Sequence, residues 1–337
     1  MSFCAIDAFK DYLLGENNDN SIFSPCFIAL RDKDYNKITS LTDIRKHYSN
    51  KIENVVIEKE DSHYLIYYVS LGIKYIIKAR LDQNSKILSL VEEIYDESLS
   101  QVLLEIEYDG SRYSGMQKQS ESNLKTIQGE IEKALKKMLN KDVQIIVSSR
   151  TDAKVHAKGQ RIQFPSFGIL PSKYAYSLNN LLPDDIRIKN ALLKSQIFHA
   201  RYDTIEKEYE YVIDTGEYSV FNKDYVYYQK INDIEKLKRE LKEIEGCHDY
   251  YAFCRGENDN TIRTIYKTDV EIIESRIVLR FIANGFLHNM IRFIVGALID
   301  SVNNNKPSIK ELLDLKDKNL TPKLAPASGL YLIKIKY

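Results

Sequence analysis

The chain reads as an α+β protein built in two parts, and three observations lead there. Two helical patterns precede a run of aromatic and β-branched strands in the first hundred residues. A short polar joint follows at Asp96-Glu97-Ser98-Leu99-Ser100, and beyond it strand and helix patterns alternate toward the C-terminus. The expected units are therefore residues 1–97, a small α+β domain, and residues 98–337, a larger one.

In the first unit, residues 5–14 carry apolar side chains at helical spacing and stop at Gly15 and an Asn/Asp cluster. A second helix is expected over residues 41–48. Strands are expected at 55–59, at 64–70 with a turn at Gly72, at 74–80 and at 87–95. Helices followed by such a meander resemble a small cone-shaped sheet with a helix in its mouth, of the nuclear-transport-factor-2-like kind. An appendage that only packs or solubilises fits the same pattern.

The second unit opens with a strand at 102–108. Thr126 is the expected N-cap of a helix whose Ile127, Ile131, Leu135 and Met138 recur at three- and four-residue steps, so one face is apolar. Strands at 145–147 and 160–164, a helix at 174–181 and a strand at 186–193 follow. Then come a strand at 207–214, a helix at 234–244, strands at 267–274 and 276–283, and a long apolar helix from 286 to about 302.

Composition bounds the function. The chain has 337 residues, 44% of them hydrophobic, enough for a proper core. No run approaches the length of a membrane-spanning helix, and Asp7, Lys10, Asp11, Glu16 and Asp19 occupy the place of a secretion signal's apolar core, so a cytoplasmic protein is expected. Cys4, Cys26, Cys247 and Cys254 form no C-x-x-C pair and with His248 no four-ligand set, which leaves them structural or incidental. Net charge is zero, but it divides unevenly: 12 Lys+Arg face 16 Asp+Glu in residues 1–100, leaving 36 against 32 of the 48 of each sign in the remainder. That mild basic surplus is weak support for nucleic-acid binding, which depends on where the charges cluster.

The most informative stretch is Ser148-Ser149-Arg150-Thr151-Asp152-Ala153-Lys154-Val155-His156-Ala157-Lys158-Gly159-Gln160, a polar connection between two strand patterns that carries one carboxylate. Asp152 is the candidate catalytic group, and Arg150 faces the same way if the backbone is extended. Arg292 stands inside the apolar run Met290-Ile291-Arg292-Phe293-Ile294-Val295, where an unpaired guanidinium would be costly. Tyr209 and Tyr211 are two apart on a strand and share a face.

Arg150-Thr151-Asp152-Ala153 with His156 and Gly159-Gln160 after it resembles the catalytic motif of the tRNA pseudouridine synthase A family. The resemblance continues in order through Glu107-Tyr108-Asp109-Gly110, Thr126-Ile127-Gln128-Gly129, Asn179-Asn180-Leu181-Leu182-Pro183, Phe198-His199-Ala200-Arg201, Tyr209-Glu210-Tyr211, Phe286-Leu287-His288-Asn289-Met290-Ile291-Arg292 and Ala325-Pro326-Ala327-Ser328-Gly329, covering roughly residues 101–337. It implies the pseudouridine synthase fold, two pseudo-symmetric α+β halves at about 101–200 and 201–337 around a central cleft. It also implies isomerisation of uridines on the 3′ side of the tRNA anticodon stem-loop, with no cofactor and no metal, by a homodimer that binds the tRNA anticodon arm.

Carried onto this chain, the resemblance makes Asp152 the catalytic carboxylate, as nucleophile or base, and Arg292 the cation that keeps it charged. Tyr209 would lie against the target uracil and accept the C5 proton, and Arg150 would hold RNA with the nucleotide flipped out. Lys118, His156, Lys158, Arg201 and Lys207 would supply phosphate and positioning contacts. His199 and His288 read as structural. Four positions depart from the family pattern: Ser149 and Lys154 replace glycines, Met116 a tryptophan and Glu208 a basic residue. Ser149 and Lys154 imply a changed loop or RNA contact; with Met116 they motivate the alternative of a catalytically weak RNA-binding protein. A single-aspartate hydrolase is set aside, since no second carboxylate motif or metal set accompanies Asp152.

Overall fold

A computed structural model describes residues 5–16, 19–25, 27, 29–31, 37–118, 124–256, 260–304, 306–317 and 320–337. Cys4 and Cys26 lie outside them; Cys247 is exposed and Cys254 buried. The chain divides into two compact units, Met1–Gln101 with Lys194–Phe198, and Val102–Leu193 with His199–Tyr337.

The first unit has the expected helices α1 (Ala5–Leu13) and, further on, α2 (Leu41–His47), two short strands between them that were not expected, β1 (Leu30–Arg31) and β2 (Lys37–Ile38), and the four expected strands β3 (Ile52–Glu60), β4 (His63–Ser70), β5 (Ile73–Leu81) and β6 (Ile87–Ile94). They form one sheet in the order β2-β1-β6-β5-β4-β3. Ile6, Phe9 and Leu13 of α1 and Ile44 of α2 share a buried cluster with Ile66, Ile77 and Leu90 of the sheet. This is one amphipathic face buried against one sheet face.

The second unit holds β7 (Ser100–Tyr108), α3 (Ile127–Leu139), β8 (Ile146–Val147), β9 (His156–Pro165), α4 (Pro171–Asn179), β10 (Ile186–Ser195), β11 (Glu206–Asp214), β12 (Tyr227–Tyr228), α5 (Ile234–Lys242), β13 (Gly246–Asp249), β14 (Ile262–Ile273), β15 (Arg276–Ala283), α6 (Met290–Asn304), α7 (Ile309–Leu315) and β16 (Leu330–Lys336). Its sheet runs β10-β7-β9-β16-β11-β15-β14-β13, with β8 beside β9 and β12 beside β11. The last strand, not anticipated in the sequence, sits in the middle. It pairs parallel to β9 through Tyr331↔His156 and antiparallel to β11 through Tyr209↔Leu332, so it joins the two halves.

Two local rules position the site. Thr126 caps α3, its hydroxyl accepting from the Gly129 amide at 3.2 Å while Ile127, Ile131 and Leu135 are buried beneath. Thr126→Ala is expected to cost about 1 kcal/mol of stability, read from a urea midpoint, and an unchanged midpoint would refute that role. The apolar helix expected from residue 286 begins instead at Met290, because Asn289 has φ +63°, a left-handed turn that asparagine tolerates and that breaks the helical path. Phe286 to Asn289 are thereby left as a loop rather than a helical turn.

Candidate active site

Asp152 lies on the connection between β8 and β9, and the backbone around it is tightly braced. The Met116 amide donates to the Thr151 carbonyl at 3.1 Å and the Lys154 amide to the Tyr113 carbonyl at 3.2 Å. Tyr108 and Thr151 hydroxyls share a hydrogen bond of 2.7 Å. Gly115, at φ +101°, comes so close that a Cβ there would stand 2.8 Å from the Thr151 carbonyl oxygen, and one on Gly110 would stand 2.0 Å from that of Val155. Only glycine permits both the conformation and the approach. Gln160 clamps the other end: its Nε2 donates to the Ser149 carbonyl at 2.7 Å and its Oε1 accepts from the Ser149 amide at 3.2 Å.

The carboxylate is held by α6. Arg292 Nη1 donates to Asp152 Oδ2 at 2.8 Å, and the same guanidinium donates to Asn289 Oδ1 at 3.1 Å and, through Nε, to the Ala325 carbonyl at 2.8 Å. With side chains 14% and 26% exposed, this pair is mostly covered, and the three-way bonding supplies what a covered guanidinium requires. His288 Nε2 stands 3.5 Å from Asp152 Oδ1 on a largely exposed ring, so the reading of His288 as merely structural is corrected. His199 lines the same cleft, and its Nδ1 accepts the amides of Arg201 and Tyr202 and holds their turn.

Tyr209, on β11, is 5% exposed and lies edge-on to Phe286, ring centroids 5.2 Å apart. Its hydroxyl bonds the Ser149 hydroxyl at 2.9 Å. Burial, reinforced by the charge of Asp152, pushes the phenol well above its usual range, so it stays protonated near neutrality. Lys207 Nζ donates to the Ser148 carbonyl at 2.9 Å and meets Ser149 Oγ at 3.2 Å. Burial, with the positive charges of Arg201 and Arg263, pulls its ammonium down to about 8.

These side chains line one cleft of about 1090 Å³. Among the described residues lining it, Asp152 is the one carboxylate, while Lys118, Arg150, Arg201, Lys207, Arg255, Arg263 and Arg292 are all cationic. The walls therefore suit a polyanion, with a negative group only where the chemistry is. Arg255 and Arg263 carried no local sign of this, while Phe286 opens one of the family-like blocks. Arg263 lies near the start of β14, ahead of the strand expected from residue 267, and pairs with His248 of β13. Lys118 reaches the cleft while ion-paired to Glu132.

Two expected contacts lie elsewhere. His156 is 3% exposed, its ring stacked on Tyr331 at 4.8 Å; Nδ1 accepts from the Gly110 amide, and Nε2 lies 2.9 Å from the Asp224 carbonyl. Burial holds its pKa down, so it is a neutral ring packed in a second groove, with no nitrogen free for phosphate. Lys158 lines that same groove, above the Tyr331 ring. Lys154 adopts φ +66° and Val155 still lines the cleft; from His156, where β9 begins, the side chains of His156 and Lys158 line the second groove.

The four departures sort themselves by position. Met116 is fully buried in the core, and Glu208 pairs with Arg280 at 3.3 Å, so neither lines the cleft. Lys154 is exposed and takes the left-handed conformation that glycine adopts without strain. Ser149 alone puts a new functional group into the cleft wall.

Among the described residues no three His, Cys, Asp or Glu side chains gather as a metal would require, and no helix is long and apolar enough to cross a membrane. The model of a family described as tRNA pseudouridine synthase matches residues 105–203 and 241–337. A protein named tRNA pseudouridine synthase A from Geobacillus sp. (strain WCH70) is 39% identical over 241 residues, covering 69% of this chain and 96% of that relative. One of the same name from Exiguobacterium sibiricum is 39% identical over 237 residues, 69% of this chain and 94% of its own. A third, tRNA pseudouridine synthase A 2 of Clostridium tetani, is 38% identical, covering 70% of this chain and 98% of its own. The matched length falls on the unit whose cleft holds Asp152 and Arg292, and the chain belongs to the tRNA pseudouridine synthase family.

Proposed function

We propose that this chain isomerises uridine to pseudouridine in tRNA, on the 3′ side of the anticodon stem-loop, with Asp152 as the catalytic carboxylate. One observation carries the reading: the one carboxylate among the described residues lining the cleft is bonded to Arg292 at 2.8 Å, and the other charged side chains lining it are cationic. The reaction breaks N1–C1′, turns the uracil and joins C5 to C1′, so it needs an ionised carboxylate beside the ribose. Arg292 sets a positive charge against that carboxylate.

Around that pair the other residues take positioning roles. Tyr209 and Phe286 offer aromatic edges to a uracil that has left its stack, since a paired base cannot be reached in the stem. Arg150, Arg201, Lys207 and Lys118 face the backbone of the RNA, joined by Arg255 and Arg263. His156 and Lys158 are left out of the contact set. Residues 1–97 form an accessory α+β domain and 98–337 the catalytic one. Family resemblance supports a homodimer working in the cytoplasm; light scattering in solution would test the dimer.

The test is tritium release from tRNA labelled at uridine C5, since forming the C5–C1′ bond expels that hydrogen. Release should occur with intact tRNA and disappear when the uridines on the 3′ side of the anticodon stem are replaced by cytidines. Tight tRNA binding with no release would support the non-catalytic RNA-binding reading instead.

A further inference from the structure

The C5 proton needs somewhere to go, and the cleft contains a route that ends on an amine. Tyr209, Ser149 and Lys207 form an unbroken line: Tyr209 Oη to Ser149 Oγ at 2.9 Å, and Ser149 Oγ to Lys207 Nζ at 3.2 Å. All three line the cleft. The middle member is the serine that stands where the family usually has glycine, so a backbone without a side chain would leave the line broken. Gln160, bonded to both the amide and the carbonyl of Ser149, holds the hydroxyl in place.

We propose that Ser149 and Lys207 carry the uracil C5 proton away from Tyr209, making them positioning and proton-transfer residues for the reaction proposed above. The proposal rests on the reading of Tyr209 as the group beside C5. Once C5 is joined to C1′, the C5–H bond breaks and its electron pair forms the C5–C6 double bond, displacing a pair onto N1, which takes a proton from water. The C5 proton passes to Tyr209 Oη as the phenol's own proton moves to Ser149 Oγ and the serine's to the neutral amine of Lys207. Tyr209 and Ser149 end as they began, and the resulting ammonium loses its proton to water at the open side of the cleft. A protonated phenol cannot accept a proton without giving one up, which is why the acceptor beyond it matters.

The amine is suited to that end of the line. Arg201, from the loop before β11, and Arg263, from β14, face it with positive charge. Ser148 offers a carbonyl, Tyr209 shares its strand, and Asp152 and Tyr108 reach the line through their effect on Tyr209. The arginines stay charged and both tyrosines are raised, Tyr108 to about 12, so Lys207 is the member of this group that titrates near 8.

The experiment uses the full chain in excess over 5-tritiated tRNA, in single turnover, from pH 6.5 to 9. The native rate should rise about fivefold between pH 7 and 8, as the neutral fraction of Lys207 climbs from roughly a tenth to about half. Ser149→Ala should slow release about tenfold at pH 8 and flatten the rise, Ser149→Thr should restore both by returning the hydroxyl, and Lys207→Arg should be slow and flat. Filter binding should leave tRNA affinity of the Ser149 variants within about twofold, separating proton transfer from binding. Native rate and native pH profile in Ser149→Ala would overturn the route while Tyr209 keeps its role. Native release by Tyr209→Phe would instead remove Tyr209 as the acceptor, and the route with it; no release by the native protein would overturn the isomerase reading itself.

Discussion

Asp152→Asn should release no measurable tritium from labelled tRNA, a loss of at least about 10³-fold in the single-turnover rate, equivalent to about 4 kcal/mol of barrier. The amide keeps the shape of the carboxylate and can still accept from Arg292, so the fold should hold, with a urea midpoint close to native. What it lacks is the charge and the nucleophilic or basic oxygen that either route to pseudouridine requires. Binding should move the other way. Asp152 is the one carboxylate among the described residues lining a cleft with seven Lys and Arg side chains, so removing its charge raises the potential that tRNA phosphates meet. Affinity should be unchanged or up to about threefold tighter at low salt, an advantage that fades as salt screens it. Asn-variant protein that still releases tritium would move the chemistry to another residue, with His288, 3.5 Å from the same carboxylate, the first to examine.

Most of the second unit was legible because its signals are local. The spacing of Ile127, Ile131 and Leu135 marks α3, and Thr126 marks its start. Alternation along 276–283 marks β15 over its full length. Asp152, Arg292 and Tyr209 were each marked by a motif, and the fold gathers them around one cleft. What escaped depends on distant pairings. The central place of β16 follows from partners more than a hundred residues away, and Arg263 lies on the part of β14 that precedes the strand expected from 267. His156 shows the opposite failure: four residues from Asp152 in sequence, it stands at the start of β9 and lines the second groove, while Val155 just before it still lines the cleft. Ser149 was noticed only as a departure, and its meaning needed the positions of Tyr209 and Lys207. The first unit lacked any motif tied to a ligand, so its longer elements could be foreseen while the two-residue strands β1 and β2 and its role could not.

Arg292→Met should be the most damaging change to stability at the site and should lower the rate about 10²-fold or more. One guanidinium satisfies three acceptors, Asp152 Oδ2, Asn289 Oδ1 and the Ala325 carbonyl, and methionine satisfies none. Removing one partner of a well-covered ion pair costs up to ~3–5 kcal/mol, and because Asp152 retains some exposure the lower end, about 2–3 kcal/mol, is expected from the urea midpoint. Arg292→Lys keeps the charge but not the fork, so it should recover part of the stability while staying well below native rate. A double-mutant cycle decides whether Arg292 acts through the carboxylate. In the Asp152→Asn background there is no buried negative charge left to strand, so Arg292→Met should cost about 1–2 kcal/mol less than in the native background. Additive losses would mean that Arg292 mainly ties α6 to the Ala325 segment and does not act through Asp152.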